Sequence, residues 1–131
     1  MKTKKILSAH DAQRMIDAAV SAARAIERPM SIAVVDDGGY ALALLRLDGA
    51  GLMTPKVATE KARTAALLRA PSAVLAGRVK EDPALLRLTD YLPMAGGVPV
   101  TMDGECVGAI GVSGGTPEQD EGVAAAGIAA L

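Results

Sequence analysis

Twice in this chain an apolar run breaks at an aspartate followed by glycine and then resumes: SIAVVDDGGYALALLRL over residues 31–47 and VPVTMDGECVGAIGV over residues 98–112. The tight turns that match strand twist need residues that tolerate positive φ, so Asp-Gly between β-branched and apolar residues is the chemistry of a hairpin. The spacing predicts strands over about 31–36 and 40–47, and again over about 98–102 and 105–112. Successive strand residues face opposite ways, which places Tyr40, Leu42, Leu44 and Arg46 on one face and Ala41, Ala43, Leu45 and Leu47 on the other. Arg46 therefore ends an otherwise apolar row.

Helical signals surround both hairpins. Ser8 followed by Asp11 is a near relative of the capping box, and Ala12, Met15, Ile16, Ala19, Ala23 and Ile26 recur at helical spacing, predicting a helix over about 9–28 that Pro29 helps to end. Thr54-Pro55 reads as an N-cap with proline at the first helical position, opening KVATEKARTAALLRA, which Pro71 closes. SAVLAGRV and PALLRLTD predict two shorter helices, and TDYLPMAGG a loop. Thr116-Pro117-Glu118-Gln119 is a full capping box and starts a helix to Leu131. The order helix, hairpin, helices, hairpin, helix gives an α+β single domain over residues 1–131, an antiparallel sheet flanked by helices.

Composition narrows the partners. Fourteen basic and fifteen acidic residues leave a formal net charge of -1, and the chain has no Phe, no Trp and only Tyr40 and Tyr91. Neither a basic footprint nor a stacking platform is there, so nucleic acid and anionic membrane surfaces are disfavoured as partners. No apolar run approaches the roughly 20 residues of a membrane span, and Ile6-Leu7 is too short for the central region of a signal peptide, so a cytoplasmic protein is expected. One cysteine, Cys106, rules out an internal disulfide and a cysteine cluster for a metal. Alanine, valine, leucine and glycine fill the core and bury little area each, which leads us to expect further burial in a homo-oligomer.

The candidates for chemistry are few. His10, the sole histidine, has no His or Cys neighbour, and no metal site is expected. Cys106 lies in a strand without a base to activate it, and Ser113 lacks the G-x-S-x-G elbow. In the second helix Val57, Lys61, Thr64 and Leu68 share a face beside the small surface of Ala58, Ala62, Ala65 and Ala66. Lys61 then either lays its stem over apolar surface with its amine in water, or serves as a cation for a carboxylate-bearing ligand, with Arg46 as a second cation. GVSGGTPEQDEG, residues 111–122, lacks the Lys-Ser/Thr of a phosphate loop. Its Glu118 and Asp120 each gain about 0.3–1 kcal/mol from the helix dipole and repel an incoming anion, leaving Ser113 and the glycines to border a pocket.

These motifs together resemble a known family. MKTKKILS, SIAVVDDGGYALALLRLDGA, EKARTAALLRA and GGVPVTMDGECVGAIGVSGGTPEQDEGVA are similar to the GlcG/HbpS haem-binding-type family, most closely its glycolate-operon branch, over nearly the whole chain. The matching signature positions are Asp36, Asp37, Gly38, Gly39, Arg46 and Asp48; Glu60, Lys61, Ala62 and Thr64; Gly96, Gly97 and Pro99; and Gly111, Ser113, Gly114, Glu118, Gln119 and Asp120. The resemblance implies a profilin-like α+β domain with an antiparallel sheet of about five strands, assembling in some members as octamers. It implies a small-molecule-binding protein of a catabolic pathway for small organic acids, with haem as the family's ligand. Lys61, Arg46, Thr64, Gly96, Gly97 and Ser113 are then the expected ligand-binding residues. Two alternatives stand beside it. One is a cofactor-independent hydrolase, isomerase or tautomerase acting on a small oxo- or hydroxy-acid, with Asp36 or Glu60 moving a proton. The other is a structural oligomer without a ligand.

Overall fold

Both Asp-Gly signals form the hairpins expected of them. The computed structural model describes residues 1–131, with helix α1 (Ala9–Ala25), strands β1 (Ser31–Asp36) and β2 (Ala41–Arg46), helices α2 (Thr54–Leu68) and α3 (Ser72–Glu81), a 3-10 turn over Pro83–Arg87, strands β3 (Gly97–Met102) and β4 (Glu105–Ser113), and helix α4 (Pro117–Ile128). The hairpins join through β1 and β4, in register from Ser31 opposite Ser113 to Asp36 opposite Gly108, giving one antiparallel sheet in the order β2-β1-β4-β3.

The sheet has four strands, not the five or so expected. Two other extended stretches make no ladder. Residues 89–95 contain Pro93 and form no backbone-to-backbone hydrogen bond, and residues 1–7 are held by side chains. Just before residues 89–95, PALLRLTD, expected as a helix, forms only a short 3-10 turn over Pro83–Arg87 capped by Asp82, whose carboxylate accepts from the Ala84 N–H at 3.2 Å.

Alternation along the strands feeds two unequal layers. Ile32, Val34, Ile110 and Val112 meet α1 and α4, forming the main core with Met15, Ile16, Ala19, Val123 and Ala124. Val35 and Ala109 face the other way onto Ala62, Ala65 and Ala66 of α2. No ring fills that second layer, and backbone meets backbone there. A Cβ on Gly111 would lie 2.1 Å from the Ala58 carbonyl oxygen, and one on Gly97 would lie 2.0 Å from that of Lys61. This close seating of α2 carries Lys61 onto the β3–β4 half of the sheet.

The helix ends depart from the sequence reading at three places. Thr54 does not cap α2: its hydroxyl donates to the Gly51 carbonyl at 2.7 Å and sits 2.8 Å from the buried Ser31 hydroxyl, so Met53 is the N-cap residue. Helix α1 ends three residues early because Glu27 turns left-handed at φ 54°, letting the Arg28 N–H bond back to the Ala23 carbonyl at 3.0 Å. Helix α4 stops at Ile128, but its start is as expected, with both halves of the Thr116–Gln119 capping box formed.

Residues 1–7 bind to the turn ends of both hairpins. Lys2 pairs with Glu105, Lys4 with Asp37, and Lys5 with Asp103 at 2.7 Å, while Leu7 is buried over Gly108, where a Cβ would fall 2.5 Å from its Cδ1. The Lys4 hydrogen bond holds the Asp37 carboxyl below its ordinary range, and Lys5 does the same for Asp103. A carboxyl whose folded pKa is depressed adds stability above its unfolded value, about 3.9 for Asp, and that stability is lost as pH falls through the folded value. Between pH 6 and pH 3 the urea midpoint is therefore expected to fall, with the loss concentrated below about pH 4. An Asp37→Asn, Asp103→Asn variant with an equally steep fall would show that other carboxyls carry it.

Candidate functional site

Helix α2 delivers Lys61 to the edge of the sheet with its amine inward. The Nζ donates to Asp120 Oδ2 at 2.9 Å and to the Val112 carbonyl at 3.0 Å, and the two side chains are only 3% and 4% exposed. Asp120, in the first turn of α4, accepts a further hydrogen bond on Oδ1 from the Gly115 N–H at 2.9 Å. The amine does not reach water, as one sequence reading had it. It closes a buried ion pair between the two helices that flank opposite faces of the sheet.

Glycine makes room for this pair. Gly96 has φ 124°, and a Cβ there would stand 2.9 Å from Lys61 Nζ and 2.8 Å from the Val112 carbonyl oxygen. Gly97 packs on the Lys61 backbone and is held by Ser72, whose Oγ accepts from the Gly97 N–H at 2.8 Å. A cleft of about 540 Å³ opens above the pair. Its walls are α3 through Ala73, Ala76 and Lys80, the loop through Pro93 and Met94, and the strand exit through Ser113 and Gly114.

Of the six residues expected to bind a ligand, the structure brings Lys61, Gly96, Gly97 and Ser113 together. Thr64 lies one turn beyond Lys61, fully buried, its hydroxyl shared between the Glu60 carbonyl at 3.0 Å and the Leu92 carbonyl at 3.1 Å. Arg46 is not at this cleft. It lines another, of about 450 Å³, with Arg24, Glu27, Arg28 and Asp48. The proton-moving acids named from sequence are also turned elsewhere: Asp36 Oδ1 accepts from the Gly38 and Tyr40 N–H groups at 2.9 Å each, and Glu60 Oε2 lies 3.7 Å from Arg63 Nη1. His10 is exposed on α1, Cys106 is half-buried with its sulfur 3.3 Å from the Gly108 carbonyl, and no three metal-ligating side chains gather anywhere.

Lys80 and Met94 were not singled out from the sequence, and Asp120, though a signature position, was not among the expected ligand-binding residues. For Asp120 a signal was present. Asp120, Val123, Ala124 and Gly127 are the buried residues of α4 and fall at i, i+3, i+4 and i+7, so a charge sits on the apolar stripe. Ala58, Lys61, Ala62 and Ala65 repeat that pattern in α2 with the opposite charge. Lys80 and Met94 carried no such signal, because only the fold of α3 and the loop sets them across from Ser113.

The chemistry available is that of a neutral, water-poor floor beneath a polar rim. With Asp120 neutralising Lys61, the uncommitted cation of the cleft is exposed Lys80, and the apolar surface is that of Ala73, Ala76, Pro93 and Met94. The start of α4 is poorly suited to an anion: the Gln119 N–H bonds to Thr116 Oγ1 at 3.2 Å, the Gly115 N–H to Asp120, Pro117 has no N–H, and Glu118 and Asp120 put negative charge in the first turn. No helix is long and apolar enough to cross a membrane.

Residues 7–129 match the family described as haem degrading protein HbpS-like. The chain is similar to protein GlcG of Escherichia coli, 42% identical over 114 residues that cover 86% of this chain and 85% of GlcG. Among solved structures it superposes on a double mutant of HbpS from Streptomyces reticuli with a TM-score of 0.92 at 40% identity, covering 100% of this chain and 90% of the other. It superposes on PduOC in a haem complex with a TM-score of 0.89 at 29% identity, covering 97% and 96%.

Proposed function

Since this chain belongs to the HbpS-like family, we propose that it is a small-molecule-binding protein whose ligand, haem or a smaller organic acid, seats above the Lys61–Asp120 pair. The observation that carries the reading is the cleft itself, with one unpaired amine at its rim and an apolar wall facing it. That arrangement suits a ligand with a carboxylate at one end and an apolar body, because the amine meets the charge while burial of the body supplies most of the affinity.

The residues fit haem in this sense. Lys80 and Ser113 would meet a propionate, Ala73, Ala76 and Pro93 the macrocycle, and Met94 brings a thioether, a known type of axial donor. Bound haem would supply an iron centre whose reactivity depends on that donor and on access for water. In a titration with haemin we expect a saturable 1:1 Soret band that survives competition by albumin and that Lys80→Ala and Met94→Ala each weaken by about threefold or more, the scale of one modest contact. Absence of a saturable band would remove haem, and an unchanged affinity in both variants would remove this cleft.

A catabolic pathway for small organic acids in the cytoplasm remains the proposed setting. A second reading, a cofactor-independent hydrolase, isomerase or tautomerase on a small oxo- or hydroxy-acid, is favoured by Asp120 and Ser113 lining the same cleft. We also propose a homo-oligomer, up to the octamer that the family resemblance implies. It is supported by strand β2, a free sheet edge on which Leu42, Leu44 and Leu45 are 36%, 49% and 42% exposed without an intervening charge. Sedimentation at micromolar concentration should give a species several times the 13.3 kDa chain mass, and a monomer would reject it.

A further inference from the structure

The Lys61 amine is sealed, yet one wall of its cleft is held weakly. Residues 89–95 make no backbone-to-backbone hydrogen bond. Their polar ties to the body come from two side chains of a single α2 turn. Thr64 donates to the Leu92 carbonyl at 3.1 Å. Arg63 reaches Asp90 Oδ1 with both Nη atoms at 3.2 Å, and its guanidinium stands 5.2 Å from the centre of the Tyr91 ring. The Arg63 stem is fixed from behind by the first hairpin turn, where Gly39 at φ 86° leaves room for it: a Cβ there would lie 2.9 Å from Arg63 Cγ.

We propose that residues 89–95 are the opening wall of the cleft and that Arg63 is the positioning residue that holds it shut. The proposal deepens the reading in which a ligand seats above Lys61, and rests on it for its biological use. Asp90 is 80% exposed, so the ion pair is weakened by solvent, and a ring contact at a surface is also modest. A segment with few backbone bonds and weak tethers opens locally without global unfolding. Pro93 and Met94 move with it, which uncovers the amine from the side that α3 leaves free. Helix α2 thus holds both the buried cation and the latch over it, two residues apart.

The test uses the full chain without ligand. Chymotrypsin cleavage after Tyr91 under native conditions and acylation of Lys61 by a water-soluble N-hydroxysuccinimide acetate are followed in wild type, Arg63→Ala, Arg63→Lys and Asp90→Asn. Loss of the latch is expected to speed both by about tenfold, the effect of one or two weak contacts, while exposed Lys80 acylates at an unchanged rate. Arg63→Lys, which keeps charge but loses the planar fork, should fall between. About 0.5 M salt should speed wild type and leave Arg63→Ala unmoved, because screening acts on the pair that the variant lacks. Hydrogen exchange over α1 and β1 serves as the check on folding, and Asp90→Asn carries the test if Arg63→Ala melts early. Wild-type rates in both Arg63→Ala and Asp90→Asn would overturn the latch. Faster loop cleavage with Lys61 still sealed would overturn the opening wall. Failure of haemin to bind leaves these outcomes untouched, so the two readings fail separately.

Discussion

Lys61→Met is expected to lower the stability of this protein by about 3–5 kcal/mol, the usual cost of removing one partner from a buried pair. The loss follows from what stays behind. Asp120 remains 4% exposed with a single donor, the Gly115 N–H, and an uncompensated carboxylate away from water is far more costly than a missing attraction. The Val112 carbonyl loses its donor from Lys61 as well. Adding Asp120→Asn should recover about 2 kcal/mol or more, since the amide stays neutral and still accepts from Gly115. Urea unfolding of the two single variants and the double variant measures the coupling. Additive losses, with no recovery in the double, would mean that the pair is not the source of the effect.

Gly111→Ala is the second large effect, expected at about 3 kcal/mol or above, the upper end for overpacking. The new methyl would sit 2.1 Å from the Ala58 carbonyl oxygen and 2.6 Å from the Ala62 nitrogen, both backbone atoms of α2 that cannot swing aside. Relief requires lifting the helix from the sheet, which opens the Ala62, Ala65, Ala66, Val35 and Ala109 layer. Gly122→Ala is the control, because a Cβ there meets nothing within 4 Å, and it should be neutral or slightly stabilising, as alanine is the better helix former. Equal urea midpoints for the two variants would refute the close seating of α2.

Much of this architecture is local chemistry, which is why it can be read along the chain. The Asp-Gly turns, the Thr116–Gln119 capping box and the periodic apolar stripes of α1 and α2 act within four or so residues, and the structure has all of them. Reading failed where a distant residue competes for a local group. Thr54 would cap α2 by its sequence, but its hydroxyl is drawn to buried Ser31, 23 residues away. Asp120 would favour the helix dipole by its sequence, and instead turns inward to Lys61, 59 residues away.

The candidate site divides along the same line. Sequence alone determined that Lys61 lies beside a seam of alanines, that glycines flank the second hairpin, and that Ser113 stands at a strand exit, since each statement concerns one element and its period. Only the tertiary structure decided that Lys61, Asp120 and Ser113 share a cleft, with Gly96 packed against the Lys61 amine, while Arg46 stands at another. Whether two elements meet depends on how closely their backbones approach, and here Gly97 and Gly111 set that approach through contacts of α2 with β3 and β4. A periodicity names the face a side chain occupies. The partner across that face is chosen by the packing of the whole sheet.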